Sequence, residues 1–248
     1  MALADSSKLP VRHPDYTYPS SRNPYWNKLR EVEGLVFTDN ETEAHAGSWR
    51  NHFPSEKIKK SRSSRLHVEL GTNAGHVILE WAKLAPNDAF IGLDWKYKAI
   101  FRGAEKAQKY KLENTVFFRA LAERLPYMFS PGEIDCLYLY FPDPWPKKAA
   151  WKNRYITEES LRLIMPLLSD DGIFHIKTDH AGYFEWMIEA IEKCSNILSA
   201  HELTRDLHKD HTDPKSLQIP EVTLFEKLFI RDGIKINSVK LRRKFSSF

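Results

Sequence analysis

The chain of 248 residues has only two cysteines, Cys136 and Cys194, each inside an apolar stretch. A disulfide framework and a cysteine metal pair are therefore not expected, and both thiols read as reduced packing residues. No apolar run approaches the roughly 18 residues that a membrane span needs. The N-terminus also lacks a basic-then-apolar signal pattern before a small-residue cleavage site, so the expectation is a cytoplasmic protein with no membrane partner. Internal repeats and low-complexity tracts are absent too, which excludes solenoids and fibrous arrays. What remains is ordinary globular material: 42% hydrophobic and 28% charged residues, with 7 Trp, 10 Tyr and 14 Phe for a core. That length suits one substantial α/β domain with extensions, or at most two small ones. The formal charge of +4 favours an anionic partner without naming one. Basic residues cluster at 57–65, 96–111, 143–154 and from 221 onward.

The first 65 residues hold prolines 10, 14, 19, 24 and 54 and no sustained period. This predicts an N-terminal arm over residues 1–60, partly flexible in its first 20 or so, followed by a single domain over 61–248. From Leu66 onward, strand-like runs at Leu66–Leu70, Phe90–Asp94, Val116–Arg119, Asp135–Tyr140 and Gly172–Lys177 alternate with helix-like segments. The helices lie near Gly75–Leu84, Lys98–Tyr110, Ala122–Phe129, Thr157–Leu168 and Ala181–Lys193. Such alternation predicts a mostly parallel α/β sheet with helices on both faces. Glu158 and Glu159 after Thr157 read as a capped helix start. Val222–Ile230 and Ile234–Val239, around Asp232-Gly233, read as a closing antiparallel strand pair. Ligands of such sheets collect at the carboxyl ends of the strands.

Two of those ends carry chemistry. Glu69-Leu70-Gly71-Thr72-Asn73-Ala74-Gly75 is a strand entering a glycine-bracketed turn and then a helix, with Gly71 for the turn and Gly75 for close helix packing. Asp94, about twenty residues on, suits a ribose diol. This pairing leaves a nicotinamide dinucleotide and S-adenosylmethionine both open. G-x-G-x-x-G, which a pyrophosphate wants at a helix N-terminus, is absent, and an adenosyl donor without phosphates asks for less. The second end is Phe141-Pro142-Asp143-Pro144-Trp145-Pro146-Lys147-Lys148, where three prolines in five positions stiffen the loop that presents Asp143 and Trp145. A held carboxylate beside a held indole fits a purine, one taking its N–H edge and the other its face. His208 and His211 are too weak a pattern for a metal, and none is expected.

The Phe-Pro-Asp-Pro-Trp-Pro-Lys run, with Gly71-x-x-x-Gly75 before it and Lys152, Arg154, Thr178-Asp179 and Thr223-x-Phe225-Glu226 after it, resembles the bacterial tRNA (guanine-N7-)-methyltransferases over roughly residues 60–240. The resemblance implies a Rossmann-like class I methyltransferase sheet, mostly parallel with a C-terminal antiparallel strand pair. It implies methyl transfer from S-adenosylmethionine to N7 of the variable-loop guanine of tRNA, with oligomeric state open between monomer and homodimer. Carried over by position, Asp143 is catalytic, and Glu69, Gly71, Gly75, Asp94, Leu121 and Ala122 bind the cofactor. Trp145, Lys147, Lys148, Lys152, Arg154, Asp179, Thr223 and Glu226 bind the substrate. The chain departs from the family pattern at Asn73 (Gly), at Leu121-Ala122 (a polar residue where adenine is read), at Ala150 (His) and at Asn153 (Arg). The alternative those departures raise is a catalytically weakened or inactive tRNA-binding protein of the same fold.

Overall fold

Eight strands form among the residues that the computed structural model describes, 5–32, 34–61, 63–210 and 223–244. In chain order they are β1 (Val36–Thr38), β2 (Leu66–Leu70), β3 (Ala89–Asp94), β4 (Thr115–Arg119), β5 (Ile134–Tyr140), β6 (Leu168–Thr178), β7 (Leu198–Thr204) and β8 (Asn237–Arg243). The α-helices are α1 (Tyr25–Arg30), α2 (Glu56–Lys60), α3 (His76–Leu84), α4 (Tyr97–Lys109), α5 (Leu125–Met128), α6 (Glu158–Ile164), α7 (Ala181–Lys193), α8 (Leu207–Asp210) and α9 (Leu224–Arg231). The chain packs as two units, residues 1–66 with 71–130 and residues 67–70 with 131–248.

In the first unit β4 lies between β1 and β3, all parallel, with Val36 opposite Phe117 and Phe90 opposite Thr115. Phe117 is fully buried, and its ring fits only because three neighbours lack a Cβ. A Cβ would come within 2.9 Å of that ring at Gly75, 3.0 Å at Gly92 and 2.6 Å at Gly103. The ring thus sets how closely α3, β3 and α4 approach β4, and with them the position of the turn that opens α3.

In the second unit β2, β5 and β6 run parallel, with His67 opposite Cys136 and Cys136 opposite Ile173. β8 then runs antiparallel to both β6 and β7. α6 starts as expected: the Thr157 hydroxyl accepts from the Ser160 N–H at 3.1 Å, while Ser160 Oγ accepts from the Thr157 N–H at 2.9 Å. α7 buries Tyr183, Phe184, Met187, Ala190 and Ile191 along one stripe. Cys136 and Cys194 are buried and neither is in a disulfide.

The parallel α/β pattern agrees with the sequence reading, but the closing antiparallel pair is built differently. Residues 224–231 form a helix, not a strand, and Val222 lies outside the described residues. The reason is local. Thr223 and Glu226 make a reciprocal capping box, with the Glu226 N–H donating to Thr223 Oγ1 at 3.0 Å and the Thr223 N–H donating to Glu226 Oε2 at 3.2 Å. Gly233, at φ +71°, then ends the helix, and the Ile234 N–H bonds back to the Phe229 carbonyl at 2.8 Å. The Asp-Gly pair is thus a helix stop, and the partner of β8 in the antiparallel pair is β7.

Candidate active site

The first unit carries the turn between β2 and α3. Gly71, Asn73 and Gly75 all have positive φ, at +74°, +51° and +68°. Asparagine tolerates that left-handed region better than most residues, so Asn73 meets a backbone demand that glycine would also satisfy. The N–H groups of Gly71 and Thr72 both donate to the Leu93 carbonyl, at 2.8 and 3.0 Å, pinning the turn to the carboxyl end of β3. Asp94, the last residue of β3, is buried, and its two oxygens accept from the N–H groups of Asn73 and Lys96, each at 2.9 Å. A carboxylate has about four lone-pair directions, so each oxygen keeps capacity for a hydroxyl. A Cβ on Gly71 would meet nothing within 4 Å, so there is room beside the turn. Held acid and open backbone together fit an adenosyl ligand. Leu121 and Ala122 follow β4 and are half-buried, and the Leu121 N–H donates to the Tyr18 hydroxyl at 3.1 Å.

The second unit carries the proline loop. It leaves β5 through Phe141, at φ +53°, whose N–H donates to the Lys177 carbonyl of β6 at 2.9 Å. Trp145 is also left-handed, at φ +45°, and 38% exposed, while Asp143 is exposed. Two bulky residues in this region store strain of the kind that collects at binding loops. What holds the loop is Arg154. It is buried, its Nε donates to the Pro144 carbonyl at 2.9 Å, and its guanidinium lies 4.6, 4.9 and 5.2 Å from the ring centres of Trp151, Tyr183 and Trp186. Burial pushes the pKa of this guanidinium down and that of the Tyr183 phenol up. Arg154 thus serves the loop from behind, whereas Lys147, Lys148 and Lys152 are exposed.

Below the loop, Lys177 and Glu226 form a buried ion pair, with Nζ 3.1 and 3.2 Å from the two carboxylate oxygens. Lys177 also lies 4.7 Å from the Tyr140 ring centre, and His208 Nε2 lies 3.0 Å from Glu226 Oε1. His211 lies outside the described residues. Glu226 has no exposed surface and Thr223 only 6%. Both face inward, where the resemblance implied substrate contacts. Asp179, just past β6, is half-buried. Glu69 is buried in β2, opposite Tyr138 of β5.

Residues 63–238 match the family described as "Putative methyltransferase". The tRNA (guanine-N(7)-)-methyltransferase of Bdellovibrio bacteriovorus is 31% identical over 213 residues, covering 86% of this chain and 97% of that one. The tRNA (guanine-N(7)-)-methyltransferase of Geobacillus kaustophilus is 34% identical over 190 residues, covering 76% of this chain and 82% of the other. The chain belongs to this methyltransferase family. Among solved structures, the 16S rRNA methyltransferase KamB superposes with a TM-score of 0.52 at 16% identity, covering 71% of this chain and 86% of that one. At that identity the likeness concerns the fold, a class I methyltransferase fold.

Within this family member, the first unit brings Gly71, Gly75, Asp94, Leu121 and Ala122 to the carboxyl ends of β3 and β4 and the turn beside them. The second places Asp143, Trp145 and Asp179 just past the ends of β5 and β6. Sequence reading did not single out Tyr18, Lys177, Tyr183 or Trp186. Each reaches its partner over a long separation along the chain, and only the Trp151 to Arg154 spacing was visible locally.

Proposed function

We propose that this protein transfers a methyl group from S-adenosylmethionine to N7 of a guanine in tRNA, the variable-loop guanine being the expected site. A tRNA substrate fits the cytoplasmic location expected from the sequence. The observation that carries the reading is the proline loop, an exposed Asp143 and a partly exposed Trp145 on a backbone pinned through Pro144 and Phe141.

S-Adenosylmethionine supplies an electrophilic methyl on a sulfonium. Guanine N7 carries an in-plane lone pair and no proton near neutral pH, so the chain has no proton to remove and needs no general base. Its task is alignment, and holding reacting atoms at near-attack distance is worth several kcal/mol. In this reading Trp145 stacks on the purine and Asp143 accepts from its N–H edge. As positive charge moves onto the imidazole ring of the base, the carboxylates of Asp143 and Asp179 stabilise it. Asp94 holds the ribose hydroxyls, and Gly71 and Gly75 keep the turn clear. Lys147, Lys148 and Lys152 meet phosphates, while Arg154, Thr223 and Glu226 act by holding the loop and its support. Asn73 in the left-handed region removes one of the departures behind the weakened or inactive alternative.

Labelled methyl transfer to unmodified tRNA tests this, with Asp143→Ala alongside. The expected result is label at guanine N7 and at least a hundredfold loss of rate in the variant, the usual scale for an electrostatic group. Equal rates would remove Asp143 from the chemistry.

A further inference from the structure

The last residue of β4, Arg119, lies opposite Asp94 in the parallel register, and the Ala120 N–H donates to the Asp94 carbonyl at 3.2 Å. The Leu121 N–H therefore sits at the same strand edge as the ribose-facing acid, one residue further on. It is not left to solvent or ligand, because the Tyr18 hydroxyl accepts it at 3.1 Å. Neither Leu121 nor Ala122 has a polar side chain with which to read a base.

The segment that delivers Tyr18 is firmly attached. Arg124, 1% exposed, donates to the carbonyls of Val11 and His13 at 2.9 and 2.6 Å and binds both oxygens of Glu43. The Tyr127 hydroxyl donates to the Arg12 carbonyl at 2.7 Å. Arg119 lies 5.7 Å from the Tyr18 ring centre and 3.9 Å from that of Tyr97, and donates from Nε to the Trp95 carbonyl at 3.1 Å. Burial raises the Tyr18 pKa, so the phenol keeps its proton.

A phenol that accepts from a backbone N–H retains its own O–H to donate, and the accepted bond polarises that O–H. The ring nitrogens of adenine are acceptors. We propose that Tyr18 is a donor-binding residue: its hydroxyl extends the hydrogen bond of Leu121 N–H outward to a ring nitrogen of the adenine, in place of the polar side chain missing at 121 and 122. The arm is then part of the cofactor site. This rests on the methyltransferase reading above.

Calorimetry of the full-length protein with S-adenosylhomocysteine tests it. Tyr18→Phe should bind about three- to tenfold more weakly, the scale of one hydrogen bond, with tRNA affinity unchanged. Tyr16→Phe disturbs the same segment, where the two rings meet edge-on at 5.4 Å, but spares the Leu121 bond and should bind as the parent does. Hydrogen exchange over residues 10–20 checks that the arm stays docked in both. Equal or tighter binding by Tyr18→Phe overturns the proposal, tighter binding meaning that the phenol only covers the N–H. An equal loss in Tyr16→Phe overturns it in favour of arm docking. If the parent protein fails to bind S-adenosylhomocysteine, the methyltransferase reading itself falls.

Discussion

Arg154 shows how much a single residue's placement changes its meaning. A cation in the run Lys147 to Arg154 suggests phosphate contact, yet this one is buried among three aromatic rings and spends its Nε on the Pro144 carbonyl. Lysine carries the same charge but neither the planar face nor the fork. Arg154→Lys should therefore lower kcat about tenfold or more by loosening Asp143 and Trp145, while the salt dependence of tRNA binding stays as in the parent. Steady-state kinetics with filter binding across a salt series separates the two. A shallower salt slope with kcat intact would return Arg154 to the phosphate contacts.

At the scale of elements, close packing around Phe117 and the pair beneath the proline loop are the sensitive points. Gly103→Ala puts a Cβ 2.6 Å from a fully buried ring. Overpacking of this kind costs about 1–3 kcal/mol. Thermal unfolding should show a lower Tm, and S-adenosylhomocysteine should bind more weakly as α3 and its turn shift; an unchanged Tm would mean that the ring has room to move. Glu226→Gln leaves Lys177 buried without its counter-charge, a change worth about 3–5 kcal/mol. The expected outcome is a large loss in a denaturant titration, and near-parental stability would instead favour a ligand-contact role for Glu226.

Five strands and the start of α6 were legible in the sequence because period, β-branching and capping residues agree there. β1 was missed because three residues show no period. β7 was missed because it lies at the edge beside β8, with four consecutive residues, Ala200–Leu203, short of burial. The Val222–Ile230 run misled because its apolar, strand-like composition hides a capping box that outweighs it. The positions of Asp94 and Asp143 were readable from local spacing, but the groups that hold the proline loop and Leu121 come from distant parts of the chain.

Over the whole molecule, the net positive charge divides into cations already engaged and cations left exposed. Lys240 pairs with Glu202 and Arg243 with Asp170, while Lys59 and Lys60 lie 2.8 and 3.4 Å from Glu56. No ion pair engages the exposed Lys147, Lys148 or Lys152 among the described residues. Substituting those three by alanine should reduce the slope of log K against log salt for tRNA by about 2–3, at roughly 0.7–0.9 per phosphate contact. Lys240→Ala should change it little. Equal effects would mean that charge acts through the overall field instead of through contacts beside the proline loop.

The central claim is that the accepting atom is the imidazole nitrogen of a guanine held by a stiff acid-and-indole turn. It is tested most directly with a tRNA transcript in which every guanine is 7-deazaguanine, which keeps the Watson–Crick edge and the stacking face but has carbon in place of N7. This transcript should bind and compete with ordinary tRNA yet accept no methyl group; methyl incorporation into it at the ordinary rate would contradict the account.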